Sequence, residues 1–297
     1  MKSNTQKIIV IVGPTASGKS DLAVALARQC NGEVISADSR QVYKGFDLGS
    51  GKITKKEMQG IPHHLLDVAN PTRTFSAARY AKLGRSAIRT ILKKGKIPII
   101  CGGTGFYIRA LVDGLVLPEV PPNYELRTIL HKKTTKELFA MLKKRDPVRA
   151  QSIDAKNPHR LIRAIEIVEA IGKVPPLTLH PLPYPTLFIG ITRSRASLCT
   201  RIHARLIARL KKGMIKEVIT LHQKGVSWKR LESFGLEYRS IAFFLQNKID
   251  KSSMEYEIVQ KSMEYAKRQM TWFNKDKRIH WITSPQSAKK LIKDFLK

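Results

Sequence analysis

Gly13-Pro14-Thr15-Ala16-Ser17-Gly18-Lys19-Ser20 stands between the apolar run Ile8-Ile9-Val10-Ile11-Val12 and the segment Asp21-Leu22-Ala23-Val24-Ala25-Leu26-Ala27-Arg28. The run before it is short and β-branched, as a buried strand is, and the segment after it reads as a helix stopped by Asn31-Gly32. The spacing is G-x-x-x-x-G-K-[ST] in the context it requires: strand, glycine loop, helix. The N–H groups of such a loop point into a concavity, and the helix N-terminus adds partial positive charge. Lys19 supplies a point charge for a terminal phosphate and Ser20 a hydroxyl able to ligate Mg²⁺. A ligand carrying a di- or triphosphate is expected here.

Working outward, Gly32-Glu33-Val34-Ile35-Ser36-Ala37 reads as a second strand running into Asp38-Ser39-Arg40-Gln41-Val42-Tyr43, and Lys96-Ile97-Pro98-Ile99-Ile100-Cys101 as a third, running into Gly102-Gly103-Thr104-Gly105. Parallel α/β sheets place ligands beyond the carboxyl ends of their strands, so Asp38 and Thr104 are candidates by position as well as by chemistry. Asp38 is the one well-placed carboxylate, available for metal binding, for proton abstraction or as a helix cap. A long helix is expected from Thr74 or Ser76 to Leu92. His63-His64 with Asp67 shows no third metal ligand and is read as structural or substrate-contacting.

Composition changes at Leu117-Pro118-Glu119-Val120-Pro121-Pro122, and a second proline-rich stretch runs from Val174 to Pro185. Between them the pattern is helical; beyond them Leu187-Phe188-Ile189-Gly190-Ile191 reads as a further core strand. The expected architecture is α/β: a P-loop NTPase-like core with a parallel sheet flanked by helices (1–116 and 187–297), a helical insertion (117–186) and a mostly helical C-terminal part. In that last part Arg201, Arg205, Arg209 and Lys212 share one helix face, and Lys261, Tyr265, Arg268 and Trp272 share another. Basic residues interleaved with aromatics suit phosphates and stacked bases, or a solvated face above core aromatics.

The 297 residues carry a formal charge of +31, which points to a polyanionic partner. The charge is spread, with 18 Lys and Arg against 7 Asp and Glu in residues 1–118 and 36 against 16 thereafter. Cys30, Cys101 and Cys199 are scattered and form no C-x-x-C, which argues against a disulfide framework or zinc site and for a reducing cytoplasm. No apolar run reaches the roughly 18–20 residues of a membrane span, and Met1-Lys2-Ser3-Asn4 lacks a signal-peptide apolar region.

Several stretches together resemble the tRNA dimethylallyltransferases (tRNA isopentenyltransferases). They are residues 13–20, Ser36-Ala37-Asp38-Ser39-Arg40-Gln41-Val42-Tyr43, Pro62-His63-His64-Leu65-Leu66-Asp67, Phe75-Ser76-Ala77-Ala78, Gly102-Gly103-Thr104-Gly105-Phe106-Tyr107-Ile108, Asn157-Pro158-His159-Arg160-Leu161-Ile162-Arg163-Ala164 and Tyr265-Ala266-Lys267-Arg268-Gln269-Met270-Thr271-Trp272-Phe273. The phosphate loop alone is common to many proteins; the ordered combination is specific. The resemblance implies transfer of a dimethylallyl group from dimethylallyl diphosphate, with Mg²⁺, to N6 of adenosine-37 beside the anticodon of tRNAs reading codons that begin with U.

Carried onto matching positions, Gly13, Thr15, Ala16, Ser17, Gly18, Lys19 and Ser20 would cradle the diphosphate, with Ser20 toward the metal. Asp38 would accept the N6 proton, Thr104 would touch the diphosphate near the departing oxygen, and Arg205 with Arg201 would neutralise the leaving group. Ser39, Arg40, Gln41 and Val42 would read the adenine and its neighbours; Lys267, Arg268 and Gln269 would contact tRNA. The insertion would grip the anticodon stem, and a monomer without membrane attachment is expected. Three departures stand out. Gly49-Ser50-Gly51-Lys52-Ile53-Thr54 replaces the family's Gly-Thr-Ala-Lys-Pro-Thr, Phe106 replaces the commoner Leu, and the segment Asn123–Lys144 is shorter and Lys-rich. The alternatives weighed are an adenylate dimethylallyltransferase acting on free nucleotide, a P-loop nucleotide-type kinase, and a non-catalytic RNA-binding GTPase-like module, the last without an N-K-x-D signature.

Overall fold

A computed structural model describes residues 6–297; Met1–Asn4, read above as lacking a signal peptide, lies outside them. The chain forms two compact units, residues 1–114 with 181–297, and residues 115–180. The first unit opens with β1 (Ile8–Val12), α1 (Lys19–Gln29), β2 (Gly32–Ser36), α2 (Lys55–Met58), β3 (His63–His64), α3 (Ala77–Lys93), β4 (Ile97–Cys101) and α4 (Gly105–Val112). The second unit holds α5 (Tyr124–Leu130), α6 (Thr135–Arg145), α7 (Pro147–Ser152) and α8 (Pro158–Ile171). The chain then returns to the first unit as β5 (Thr186–Ile191), α9 (Arg195–Lys211), α10 (Met214–Gln223), α11 (Trp228–Phe234), α12 (Leu236–Leu245), α13 (Lys251–Phe273), β6 (Ile279–Ile282) and α14 (Pro285–Leu296).

Among the described residues the six strands make one parallel sheet in the order β3-β2-β4-β1-β5-β6. All five residues of β1 are buried, as an all-parallel sheet covered on both faces demands. Strand alternation divides them. Ile8, Val10 and Val12 join a core with Tyr80, Ile88, Ile91, Ile108 and Leu111 of α3 and α4, whereas Ile9 and Ile11 face Leu22, Leu26, Ala288 and Ile292 of α1 and α14. Ser76 starts α3, its hydroxyl accepting from the Arg79 N–H.

The sheet's amino end is pinned by Glu33, whose side chain is 1% exposed yet accepts from His64 Nε2 at 2.8 Å, Lys94 Nζ at 3.1 Å and Lys96 Nζ at 2.9 Å. Burial alone would raise its pKa; the hydrogen bonds from His64, Lys96 and Lys94 overcome this and hold it at about 2. His63 Nδ1 pairs with the Ile61 carbonyl, so the histidine pair is used structurally.

In the second unit Leu130, Leu138, Leu142, Leu161 and Ile165 form a separate core. Thr134 and Glu137 close a capping box on α6, and Asp146 both caps α7 and accepts from the Val174 N–H. Glu166, 1% exposed, accepts from Arg127, Arg163 and the Asn123 N–H. The boundaries differ from 117 and 186: Leu115 already bridges to Leu179, while the Leu182 N–H returns to the Val112 carbonyl of the first unit. The strands missed by sequence reading are β3, two residues long, and β6, an edge strand of four in which His280 and Trp281 remain accessible. No helix among the described residues is long and apolar enough to cross a membrane.

Candidate functional site

The carboxyl ends of β1, β2, β4 and β5 converge. After β1 the phosphate loop turns through Ala16 at φ 60° and Gly18 at φ 99°, the left-handed values that let successive N–H groups face one side. Lys19 Nζ folds back onto the Pro14 carbonyl at 2.5 Å. Burial lowers its pKa to about 8, with the Cys101 and Asp38 groups opposing and Arg205 assisting. The Ser17 hydroxyl is buried and has no hydrogen-bond partner among the described residues, leaving a donor for a ligand inside the loop. Ser20, in the first turn of α1, is exposed.

Asp38 follows β2. Its Oδ1 accepts from the N–H groups of Arg40 at 2.8 Å and Gln41 at 3.3 Å, so the carboxylate is oriented by its own turn and does not start a helix. Among the described residues Oδ2 accepts no hydrogen bond. After β4, Gly102 lies so close to β2 that a Cβ would stand 2.1 Å from the Ala37 carbonyl oxygen. This contact lets Thr104 reach across, where its N–H donates to the Ala37 carbonyl and its hydroxyl accepts from the Ser39 N–H at 3.0 Å. Tyr265 of α13 faces the same place, its phenol pushed up to about 12 by burial and by the Asp38 charge.

Helix α9 supplies cations. Arg201 Nε donates to the Ala16 carbonyl at 2.6 Å. Arg193, just past β5, donates to the Ser17 carbonyl at 2.8 Å. Arg205 is drawn down to about 10, chiefly by burial and then by the neighbouring Arg209 charge. No carboxylate lies within ion-pair distance of Lys19, Arg193, Arg201 or Arg205 among the described residues. Arg209 is matched by Glu237 at 3.6 Å. The site therefore carries an excess of positive charge held in partly dry surroundings, which an anionic ligand would neutralise.

The loop that departs from the family pattern adjoins this cluster. Glu217 of α10 accepts from the N–H groups of Asp47, Leu48 and Gly49, and Tyr238 donates to the same carboxylate. Gly51 has φ 63°, and a Cβ there would stand 1.8 Å from Arg209 Nη2 and 2.7 Å from Arg205 Nη2. Its carbonyl accepts from Gln41 Nε2. Glycine at this position gives two guanidinium groups the space an alanine methyl would occupy.

Two expected tRNA contacts are corrected. Val42 is fully buried and its carbonyl accepts from the Ala69 N–H, so its side chain reads no base. Gln269 is 5% exposed and its amide is committed to the protein backbone. Lys267 and Arg268 on the same helix are exposed, and the Arg268 guanidinium lies over the Tyr265 ring. The aromatics of this stripe divide: Tyr265 turns toward Asp38, whereas Trp272 stays exposed at one side while its other packs on Gly105, where a Cβ would meet the indole at 2.2 Å. The α9 stripe divides too: Arg201 reaches the phosphate loop and Arg205 and Arg209 lie half-buried beside it, whereas Lys212 is exposed at the helix's C-terminal cap. Arg193, Glu217 and the inward turn of Tyr265 were missed. Arg193 alone carried a signal, its place just past a strand's carboxyl end.

Fold and site together define a phosphate-loop α/β protein whose anion cradle faces an oriented carboxylate. A family model described as IPP transferase matches residues 41–276. The chain is 38% identical over 282 residues to the tRNA dimethylallyltransferase of Anoxybacillus flavithermus, covering 93% of this chain and 90% of the relative. It is 40% identical over 287 residues to tRNA dimethylallyltransferase 2 of Trichlorobacter lovleyi, covering 94% and 93%. Among solved structures, the tRNA isopentenylpyrophosphate transferase of Bacillus halodurans matches with a TM-score of 0.74 at 33% identity, covering 98% and 97%. A eukaryotic dimethylallyltransferase acting on tRNA matches with a TM-score of 0.77 at 26% identity, covering 94% of this chain and 74% of that one. The chain belongs to the IPP transferase family and is a transferase.

Proposed function

We propose that the chain transfers a dimethylallyl group from dimethylallyl diphosphate to N6 of adenosine-37 in tRNAs reading codons that begin with U. The observation that carries this reading is the pairing of an unmatched cation cluster at the phosphate loop with the oriented Asp38 carboxylate. A kinase would need the loop to hold a donor whose phosphoryl moves. Here the diphosphate is the leaving group, and the arginines stabilise charge as it departs.

In the reaction the C1–O bond of the donor breaks and its electron pair goes to the diphosphate oxygen. The N6 lone pair forms the new C–N bond, and Asp38 Oδ2 takes the N6 proton. Lys19, Arg193, Arg201 and Arg205 receive the developing diphosphate charge, and Thr104 presents its hydroxyl beside the departing oxygen. The exocyclic amine is delocalised and stacked in RNA, so the base must leave its stack to reach Asp38. Ser39, Arg40 and Gln41 line its way in, and exposed Lys267 and Arg268 hold tRNA phosphates.

Mg²⁺ fits this donor set in one way. The described residues offer no cluster of three His, Cys, Asp or Glu ligands, so Ser20 would give one oxygen and diphosphate and water the rest. When bound, the ion would neutralise diphosphate charge. The second unit, residues 115–180, is assigned to the anticodon stem, and the free thiols of Cys30, Cys101 and Cys199 suit a reducing cytoplasm.

The test is transfer of label from dimethylallyl diphosphate, with Mg²⁺, to unmodified tRNA and to AMP in parallel. Label on the adenine 3′ of the anticodon and none on AMP is the expected result. Label on AMP would assign the chain to free nucleotide instead, and label on neither would overturn the transfer reaction.

A further inference from the structure

Gln269 occupies a position in α13 from which its amide reaches both walls of the site. Its Oε1 accepts from the Thr15 N–H at 2.8 Å, and its Nε2 donates to the Gly103 carbonyl at 2.9 Å. The contact with Gly103 leaves no room for any other residue there, since a Cβ would stand 2.0 Å from Nε2. The Thr15 N–H is therefore spent on the protein and does not meet a phosphate.

The peptide unit that carries this N–H has its other end engaged as well. The Pro14 carbonyl is the acceptor on which Lys19 Nζ rests. Gln269 thus holds by one end the peptide plane whose other end holds the phosphate-binding amine. Its second bond fixes the residue immediately before Thr104, whose N–H and hydroxyl tie β4 to the Ala37–Ser39 turn beside Asp38.

From this geometry we infer that Gln269 is a positioning residue. It sets the Pro14–Thr15 peptide, and through it Lys19, in register with the Gly103–Thr104 turn. It acts on the donor diphosphate without touching it and contributes nothing directly to tRNA binding. The role rests on the transfer reaction proposed above, but the binding of a diphosphate reads it independently of that reaction.

The test compares wild type with Gln269→Met, which keeps side-chain length and removes both hydrogen bonds. Binding of inorganic pyrophosphate with Mg²⁺, measured by calorimetry without tRNA, is expected to weaken about tenfold, because the freed Pro14–Thr15 peptide no longer holds Lys19 in place before the ligand arrives. The donor KM rises with it, whereas the tRNA Kd stays within about twofold of wild type. A merely structural role would lower thermal stability and the active fraction while leaving the donor KM unchanged, and that result overturns the inference. So does a tRNA Kd that weakens as much as kcat/KM falls.

Gln269→Glu keeps the acceptor for Thr15 and loses the donor to Gly103; donor KM is expected between wild type and Gln269→Met, and a wild-type value would overturn the two-walled role. Hydrogen exchange on the wild-type protein, free of RNA and donor, needs no variant to fold. The Thr15 amide is expected to be protected, and rapid exchange there would overturn the assignment. Wild type that binds pyrophosphate but labels no tRNA would undo the proposed reaction alone. Gln269→Met that binds pyrophosphate as wild type does would undo the positioning role alone.

Discussion

At the scale of single residues, burial makes Lys19 sensitive to mild alkali. Its pKa of about 8 lies below the ordinary lysine value because the charged amine has lost water. The amine is charged below that pH and becomes neutral as pH rises through it. In the proposed reaction the donor diphosphate meets that cation, so kcat/KM for dimethylallyl diphosphate is expected to fall about tenfold per pH unit above about 8. Steady-state kinetics at saturating tRNA checks this; a profile level to pH 9.5 would remove Lys19 from the donor site. Glu33 shows the opposite sign. Its folded pKa of about 2 lies below the unfolded value, so its stabilisation is complete above about 4.5 and is lost as pH falls toward 2. Glu33→Gln is expected to cost roughly 2 kcal/mol at neutral pH, less than for a fully enclosed pair because Lys94 and Lys96 can turn to water. Urea unfolding at pH 7 and pH 3 measures it, and the difference between variant and wild type should shrink at the lower pH.

At the scale of elements, the loop Asp47–Thr54 shows how a departure from a family pattern can be compensated locally. The segment Asp47–Gly49 is clamped by Glu217, and Gly51 takes a left-handed conformation against Arg205 and Arg209. Restoring the family residue, Gly51→Ala, imposes about 1–2 kcal/mol of backbone strain and pushes the guanidinium groups off the loop. Donor KM is expected to rise more than kcat falls, with tRNA affinity unchanged; an unaltered donor KM would show that the arginines tolerate displacement. Helix α13 is the second instructive element. Periodicity placed Lys261, Tyr265, Arg268 and Trp272 on one face, but an angular position does not say whether a side chain meets solvent or a neighbouring turn. Two glycines, Gly103 and Gly105, let α13 approach closely enough to bury Gln269 and to seat one side of Trp272. That approach is a tertiary fact, absent from the helix's own sequence.

For the whole molecule, what was legible in the sequence is what local physics determines. The strands β1, β2, β4 and β5 and the helix α1 followed from apolar runs and glycine turns, and the two proline-rich stretches marked the inserted helices within a few residues. The gathering of residues 13–20, Asp38 and Thr104 at one edge followed from the rule that parallel strands carry ligands at their carboxyl ends. What sequence did not yield depends on long-range pairing: the strand order, the short edge strands β3 and β6, Arg193 on the phosphate loop, and Glu217 beneath the loop 47–49. Val42 and Gln269 were misplaced for the same reason, since adjacency to a functional motif does not distinguish an exposed side chain from one that braces the motif from behind.

In the proposed reaction Asp38 accepts the N6 proton while the cations of the phosphate loop and α9 hold the departing diphosphate. The most direct measurement is the single-turnover transfer rate of Asp38→Asn, with tRNA and pyrophosphate affinities measured on the same protein. Asparagine retains an oxygen for the Arg40 and Gln41 N–H groups but cannot take the proton. The expected result is a rate reduced by a factor on the order of 10²–10⁴, with both affinities within about threefold of wild type. A rate near wild type would contradict the assignment of the base, and a loss of tRNA affinity equal to the loss of rate would show that Asp38 binds the adenine without accepting its proton.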